Sequence, residues 1–503
     1  MRLRRILPAL ALGATALLGC RADTDLTNPN TPTVATFWKT ESDATTGLTA
    51  VYQSLNWLGS YQRWRAFNTD IRSDIGTSFS PWTDLANQSK FTYVDYDFPT
   101  LSDTWRDLYA GIGRANQVTT YVPNIAMNEA TKTRYVGEAK FIRGLHYYQL
   151  VTLYGGNIPL YTTPPDVTDR GGPAGDAAVW TQIEKDFTEA AAALPVQLMA
   201  ESQGHATKGA AQGMLGKALL QQRKWAAAAT ALQPVVQGQL GAYDLVSDYA
   251  ALFTPSGNNT KESLFENQMG TEDTCGQGVC GLNFPRMIGP CGATWCDGRP
   301  TPFLFNTFRG ETTTDGKPDP RLDATLFYYK GDTTMVHGET WAERRASEQA
   351  SYPDNVLYFK KYSEYYDGST TVNWDAPLNF KILRYADVLL MYAEALNEQG
   401  QTPQAYEYVN RVRARVRLAP LAAGLSQDGM RQAILTERIK EFALEGERWT
   451  DMLRQNLLSA SNLPAVKAND PEFNNFVVGK SERLPIPNIE RNVNQNLPQN
   501  PGW

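Results

Sequence analysis

Histidine is nearly absent: the 503 residues hold His146, His205 and His337 and no others. They are too dispersed for a metal motif such as H-E-x-x-H, which sets two imidazoles one helical turn apart. His146, inside an apolar helical stretch, reads as a hydrogen-bonded core residue. There is no G-x-S-x-G segment, so a hydrolase nucleophile elbow has no candidate. Positive charge is in deficit, with 47 Lys and Arg against 53 Asp and Glu and a formal net charge of −6. Binding to nucleic acid needs the opposite bias, so no nucleic-acid partner is expected. Beyond the first twenty residues no run reaches the roughly eighteen apolar residues of a spanning helix. Cysteine is scarce too, five in all, and the positions of those five are informative.

The first cysteine, Cys20, ends a short leader. Arg2, Arg4 and Arg5 precede an apolar stretch from Ile6 to Leu18, too short to cross a hydrocarbon core of about 30 Å. It has the form of an export signal, and its end, Leu17-Leu18-Gly19-Cys20, resembles a bacterial lipobox. That resemblance implies that residues 1–19 are removed and that Cys20 is acylated, tying the chain to a membrane outside the cytoplasm. Residues 20–36 are polar and rich in Thr, Asn and Pro, the composition of a tether. Extended, the sixteen residues after Cys20 reach roughly 50 Å.

The other four, Cys275, Cys280, Cys291 and Cys296, share the segment CGQGVCGLNFPRMIGPCGATWC. Four cysteines allow three disulfide connectivities, and the spacing does not choose among them. A four-thiolate zinc site also fits, since both pairs are separated by four residues. An exported compartment favours disulfides. Gly276 to Gly281 matches G-x-G-x-x-G by letter, but without a strand before it or a helix after it the match carries no phosphate loop.

Helical periodicity dominates two blocks, about 39–240 and 382–458. Ser102 or Asp103 is a candidate cap for a helix through Tyr121. Lys132 to Tyr154 is apolar nearly all round, as a buried helix would be, and Gly155-Gly156 closes it. Ala177–Leu194, Lys208–Arg223 and Trp225–Gly238 follow as further helices. In the second block Arg384, Asp387, Glu394 and Glu398 form a polar stripe, and Thr402-Pro403 opens another helix. Paired helices of this length suggest tetratricopeptide-like repeats. Between the blocks, residues 241–380 are irregular, with short strand-like runs such as Leu357–Tyr362, and such loops are where a site is commonly built.

Two constellations invite chemistry. Glu437, Glu441 and Glu445 recur every four residues beside Arg438, Arg448, Asp451 and Arg454. Paired carboxylates of this kind run glycoside hydrolysis, but carboxylates on one helix face among arginines also form an ion-pair network without chemistry. Asp315, Asp319 and Asp323 do not match the spacing of a calcium loop. Aromatics are dense from Tyr52 to Tyr109, and those outside helices offer flat faces for sugar rings. The ligand-binding candidates are Trp57, Trp64, Trp82, Trp295 and Trp341; Trp105, inside a helix, is expected in the core.

Several segments together resemble the SusD/RagB outer-membrane lipoproteins over nearly the whole length. They include TWRDLYAGIGRANQV, GEAKFIRGLHYYQLVTLYGGNIPL, WTQIEKDFTEAAAALP, ILRYADVLLMYAEALNEQG, ERIKEFALEGERWTDMLR and the terminal LPIPNIERNVNQNLPQNPGW. The resemblance implies a mainly α fold for residues 37–503, a superhelix of four tetratricopeptide-like units with a loop-rich, partly β insertion. It implies a non-enzymatic protein at the outer membrane, facing outside, that captures oligosaccharide or peptide as the lid of a SusC-type TonB-dependent barrel. Glu437, Arg438, Glu445, Arg448 and Asp451 are then structural, and no cofactor or metal is implied. The four-cysteine loop is not a general feature of the family. The rival readings are a helical glycoside hydrolase using Glu441 or Glu445, and a scaffold lipoprotein without a small ligand.

Overall fold

The computed structural model describes residues 34–166, 168–198, 202–270, 281–347, 351–365, 372 and 374–503. It is 53% helix and 8% strand, a mainly α fold. Thr40 opens the first long helix, α1 (Glu41–Gln53), with a capping box: its hydroxyl accepts the Asp43 N–H while the Asp43 carboxylate accepts the Thr40 N–H. Helix α2 (Pro99–Tyr121) begins at Pro99, ahead of the caps expected at Ser102 or Asp103. Proline presets the helical φ and has no N–H to leave orphaned, so it takes the first turn. The Asp103 carboxylate instead binds the Trp64 indole N–H and Arg106.

Helix α3 (Glu129–Tyr154) is capped by Asn128 and closed by Gly155, and every residue from Phe141 to Tyr154 is buried. His146 lies in that stretch, its Nε2 2.8 Å from the Ser54 hydroxyl, and burial pulls its pKa down to about 3. It is a core residue. Helices α4 (Asp176–Ala193), α5 (Lys208–Gln221) and α6 (Trp225–Val236) follow close to their expected bounds. A Cβ at Gly216 would lie 2.4 Å from Leu232 Cδ2, so α5 and α6 touch through the missing side chain. After the insertion come α7 (Tyr385–Glu398), α8 (Thr402–Arg415), α9 (Gln427–Phe442) and α10 (Arg448–Arg454).

Each long helix from α1 to α8 packs on the next, and α9 packs on α7. The contact of α6 with α7 is the informative one. The Tyr385 phenol donates to the Val236 carbonyl at 3.1 Å, across 149 positions of chain, so the insertion leaves one continuous helical stack and returns to it. Stacked helical pairs of this kind bury a shared core and present an extended surface.

The start of the second block departs from its helical expectation. Phe380–Arg384 is a strand, paired antiparallel with Ser263–Asn267, and it is buried throughout. Two charged contacts pin it there: Lys381 to Glu266 at 2.8 Å and Arg384 to Glu262 at 2.7 Å. Pairing and burial of this sort override local propensity. Elsewhere the described part of the insertion combines short helices, such as Pro302–Arg309 and Trp341–Ser347, with two-stranded pairs: Leu326–Tyr328 with Leu357–Phe359, Met335–Val336 with Glu339–Thr340, and Gly298–Pro300 with the distant Gly76–Ser78.

Candidate functional site

The acidic cluster is a buried ionic lattice. Glu441 binds Arg321 at 3.0 Å, Arg384 at 2.6 Å, and Arg415. Glu445 binds Lys361 and Arg384, and Glu437 binds Arg321 and Arg413. Burial works to raise the Glu441 pKa, but Arg415, Arg384 and Arg321 hold it well below the usual carboxylate range. That is the opposite of a glycosidase general acid, whose pKa must be raised. The polar stripe of α7 joins similar contacts: Asp387 binds Lys217 and Arg438, Glu394 binds Arg454, and Glu398 binds Arg431. These charges tie α5, α7, α9 and α10 to one another, and Glu437 and Glu441 tie α9 to Arg321 of the insertion.

The five tryptophans singled out from sequence fall in different environments. Trp64 and Trp341 are buried. Their indole N–H groups donate to Asp103 Oδ2 at 3.0 Å and to the Tyr352 carbonyl at 3.2 Å. A covered ring has no face to offer a sugar, so both are core residues and not ligand contacts. Trp57 is half-buried with the Arg114 guanidinium 4.3 Å from its ring centre, in a cleft with Gln62, Arg106 and Asp107. Trp82 and Trp295 are open to solvent, 44% and 47% exposed.

The fold brings Trp82 and Trp295 onto one surface, although more than two hundred positions separate them. The strand Gly76–Ser78 pairs with Gly298–Pro300, and beyond it the Phe79 N–H donates to the Asp297 carbonyl at 3.1 Å. Gly76 makes this possible, because a Cβ there would strike the Asp70 carbonyl oxygen at 2.6 Å. The Trp295 N–H donates to the Arg286 carbonyl at 2.9 Å. The next residue, Cys296, is joined to Cys291 by a disulfide, so the loop that carries Trp295 is stapled at its root. Of the remaining cysteines, Cys20, Cys275 and Cys280 lie outside the described residues.

Two aromatic residues on this surface had not been singled out. Phe79 is 56% exposed and Trp374 is 37% exposed, the latter edge-on to Trp295 with ring centres 4.8 Å apart. Arg63 lies between the halves, its Cζ 5.3 Å from the Trp64 ring and 5.1 Å from the Trp374 ring. Trp64 in turn meets Trp82 edge-on at 6.3 Å. Arg286 sits 5.6 Å from the Trp374 ring and Arg299 5.1 Å from the Phe79 ring. The result is a band of rings and guanidiniums whose exposed ends, Trp295 with Trp374 and Trp82, are joined beneath the surface by Arg63 and the buried Trp64. Asn283 belongs to it, accepting from Arg63 Nη2 at 3.1 Å and donating to the Trp374 carbonyl. Trp374 stands in a polar loop, VNWDAP, the same signal that drew attention to Trp82. For Phe79 and the arginines no local signal exists, because their partners are hundreds of residues away.

Chemically the band can stack planar or ring-shaped ligands against exposed indoles and donate hydrogen bonds from guanidinium, while the buried Asn283 amide holds Arg63 and the Trp374 backbone in place. The Cys291–Cys296 disulfide restrains the loop that carries Trp295.

Comparison with known proteins gives consistent matches. A family model described as "SusD family" matches residues 261–503, and one described as "Starch-binding associating with outer membrane" matches residues 29–220. The chain is 27% identical to "SusD-like protein P25" of Formosa agariphila, over 91% of each chain. A SusD superfamily protein from Bacteroides vulgatus superposes with a TM-score of 0.81 at 25% identity, covering 93% of this chain and 100% of the other. A laminarin-binding SusD-like protein superposes with a TM-score of 0.73 at 29% identity, covering 92% and 100%.

Proposed function

The chain belongs to the SusD family, and on that premise we propose that it captures glycan at the outer membrane without catalysing its cleavage. The observation that carries this reading is the exposed set Trp82, Trp295 and Trp374, with the partly exposed Arg63 and Arg286 beside Trp374. A pyranose ring presents C–H faces to aromatic rings and hydroxyls to guanidinium donors. The laminarin-binding relative supports a carbohydrate as the ligand. The carboxylates best spaced for hydrolysis are all engaged by buried cations, which argues for capture over cleavage.

In this reading Cys20 carries lipid, residues 21–36 form the tether, and residues 37–503 work as a lid that delivers glycan to a SusC-type barrel transporter. A stacked helical surface suits docking to such a barrel. A tethered attachment allows the lid to swing.

The test is titration of the soluble chain from residue 21 with laminarin and a wider glycan panel, followed by tryptophan fluorescence and calorimetry. Trp82→Ala and Trp295→Ala should each weaken binding about tenfold, the equivalent of about 1.4 kcal/mol. If both variants bind every ligand as the parent does, the band is not the site. Release of reducing sugar by the parent, abolished in Glu445→Gln, would establish the hydrolase reading instead.

A further inference from the structure

Carboxylates outnumber cations in this chain, and many of its buried arginines are supplied with them, although Arg65 and Arg72 are held by the Gly446 and Ser481 carbonyls instead. Arg321 has Asp319, Glu437 and Glu441; Arg384 has Glu262, Glu441 and Glu445; Arg438 has Asp387 and Asp451. Arg63, Arg286 and Arg299 also lack a carboxylate, and unlike Arg65 and Arg72 they reach solvent. Among the described residues none of them has a carboxylate oxygen within 4.0 Å.

Neutral groups hold them. Arg63 donates to Asn283, Arg286 donates to the Val372 carbonyl at 2.5 Å, and Arg299 Nη2 lies 3.2 Å from Cys291 Sγ and 3.8 Å from Cys296 Sγ. Each guanidinium carries five N–H donors, so most donors of each remain uncommitted, and all three side chains are partly exposed. The nearby acids are otherwise engaged. Asp103 is held by Arg106 and Trp64, Asp297 is buried, and Asp375 accepts the Gly281 N–H. Burial draws the Arg63 pKa below its ordinary value despite Asp103, the sign of a cation whose charge is under-compensated.

Unpaired guanidiniums held against aromatic rings are pre-organised for oxyanions, since their planar fork matches carboxylate and sulfate geometry. Stacking on a ring contributes only about 0.5–1 kcal/mol at exposed sites, so it fixes their place without satisfying their charge. We propose that the glycan captured at this band is anionic, with its carboxylate or sulfate groups bound by Arg63, Arg286 and Arg299 while its rings stack on Trp82 and Trp295. This inference rests on the glycan-capture reading and adds the class of substrate to it.

The experiment titrates the soluble chain with polygalacturonate, a sulfated galactan and neutral laminarin, at low and high salt. At least one anionic polymer should bind about tenfold or more tightly than laminarin, with affinity falling as salt screens the contacts. The uronate and sulfate arms show which oxyanion is taken. Arg63→Gln and Arg286→Gln should collapse the anionic preference and flatten the salt dependence, and Arg286→Lys, which keeps the charge, should retain part of both. Thermal melts of each variant separate lost binding from lost folding. Laminarin bound as well as every anionic polymer, without salt dependence, overturns the anionic inference and leaves glycan capture standing. No binding to any of the three overturns both.

Discussion

Replacing Glu441 by Gln is the sharpest test of whether the acidic cluster holds the fold or performs chemistry. The lattice around it is contiguous, with Arg321, Lys361, Arg384, Arg413, Arg415 and Lys440 matched against Glu262, Glu311, Asp319, Glu437, Glu441 and Glu445. Glu441 contacts three of these cations, and all four side chains are essentially buried. The amide of Gln keeps the shape and can still accept, but it removes one negative charge and leaves a buried positive charge without its counterpart. Breaking a buried pair from one side costs about 3–5 kcal/mol, a large share of the roughly 5–15 kcal/mol that holds a typical domain together. Equilibrium unfolding in urea at pH 7, followed by tryptophan fluorescence, should register that loss, while glycan affinity of the folded fraction stays at the parental level. The pH dependence has a definite sign. Glu441 is held below its usual value of 4.5, so its contribution is present above that pH and is lost as acid protonates the folded state. The gap between parent and variant should therefore be full at pH 6–7 and narrow in acid. A loss under about 1 kcal/mol at pH 7, or a gap that widens in acid, refutes the reasoning.

Burial pushes Asp70 up to about 7 even though the Gly446 and Arg448 N–H groups donate to it. A raised carboxylate favours the folded state at low pH and loses that advantage as pH rises from about 4 to about 7. Relative to Asp70→Asn, the parent should therefore lose up to about 4 kcal/mol over that range; a pH-independent difference in melting temperature refutes it. Replacing Cys291 and Cys296 together by Ser should cost about 2 kcal/mol, the loop-closure value for so short a loop, and should weaken glycan binding through Trp295. With those two paired, non-reducing peptide mass spectrometry should find Cys275 joined to Cys280; free thiols there would contradict it. Cys20→Ala should shift the full-length protein from the membrane fraction to the soluble fraction, and retention on the membrane would exclude acylation at that residue as the anchor.

Legibility in the sequence followed the range of the interactions. The buried course of α3 was visible in the all-round apolarity of Phe141 to Tyr154, because helix burial is written at 3.6-residue spacing. The strand at Phe380–Arg384 was not visible, because its partners Glu262 and Glu266 lie over a hundred positions away. The same holds for the tryptophans. Trp64 and Trp82 sit in equally polar, irregular sequence, yet one is closed over by Asp103 and the helices while the other is exposed. Trp374 carries a local signal like that of Trp82, in the polar loop VNWDAP, whereas Phe79 and the three arginines carry none.

The sequence by itself carried the helical character and the family motifs, since each is written in local periodicity or in a contiguous run. The choice between ion-pair network and chemistry for Glu437, Glu441 and Glu445 fell to their distant partners Arg321, Lys361 and Arg384. Only the tertiary structure decided which aromatic rings face solvent and which arginines go without a carboxylate. Both depend on long-range contacts: Gly76–Ser78 paired with Gly298–Pro300, and Asn283 bridging Arg63 and Trp374. Exposure and charge compensation are properties of what packs nearby in space, and at this surface the neighbours come from segments the chain keeps far apart.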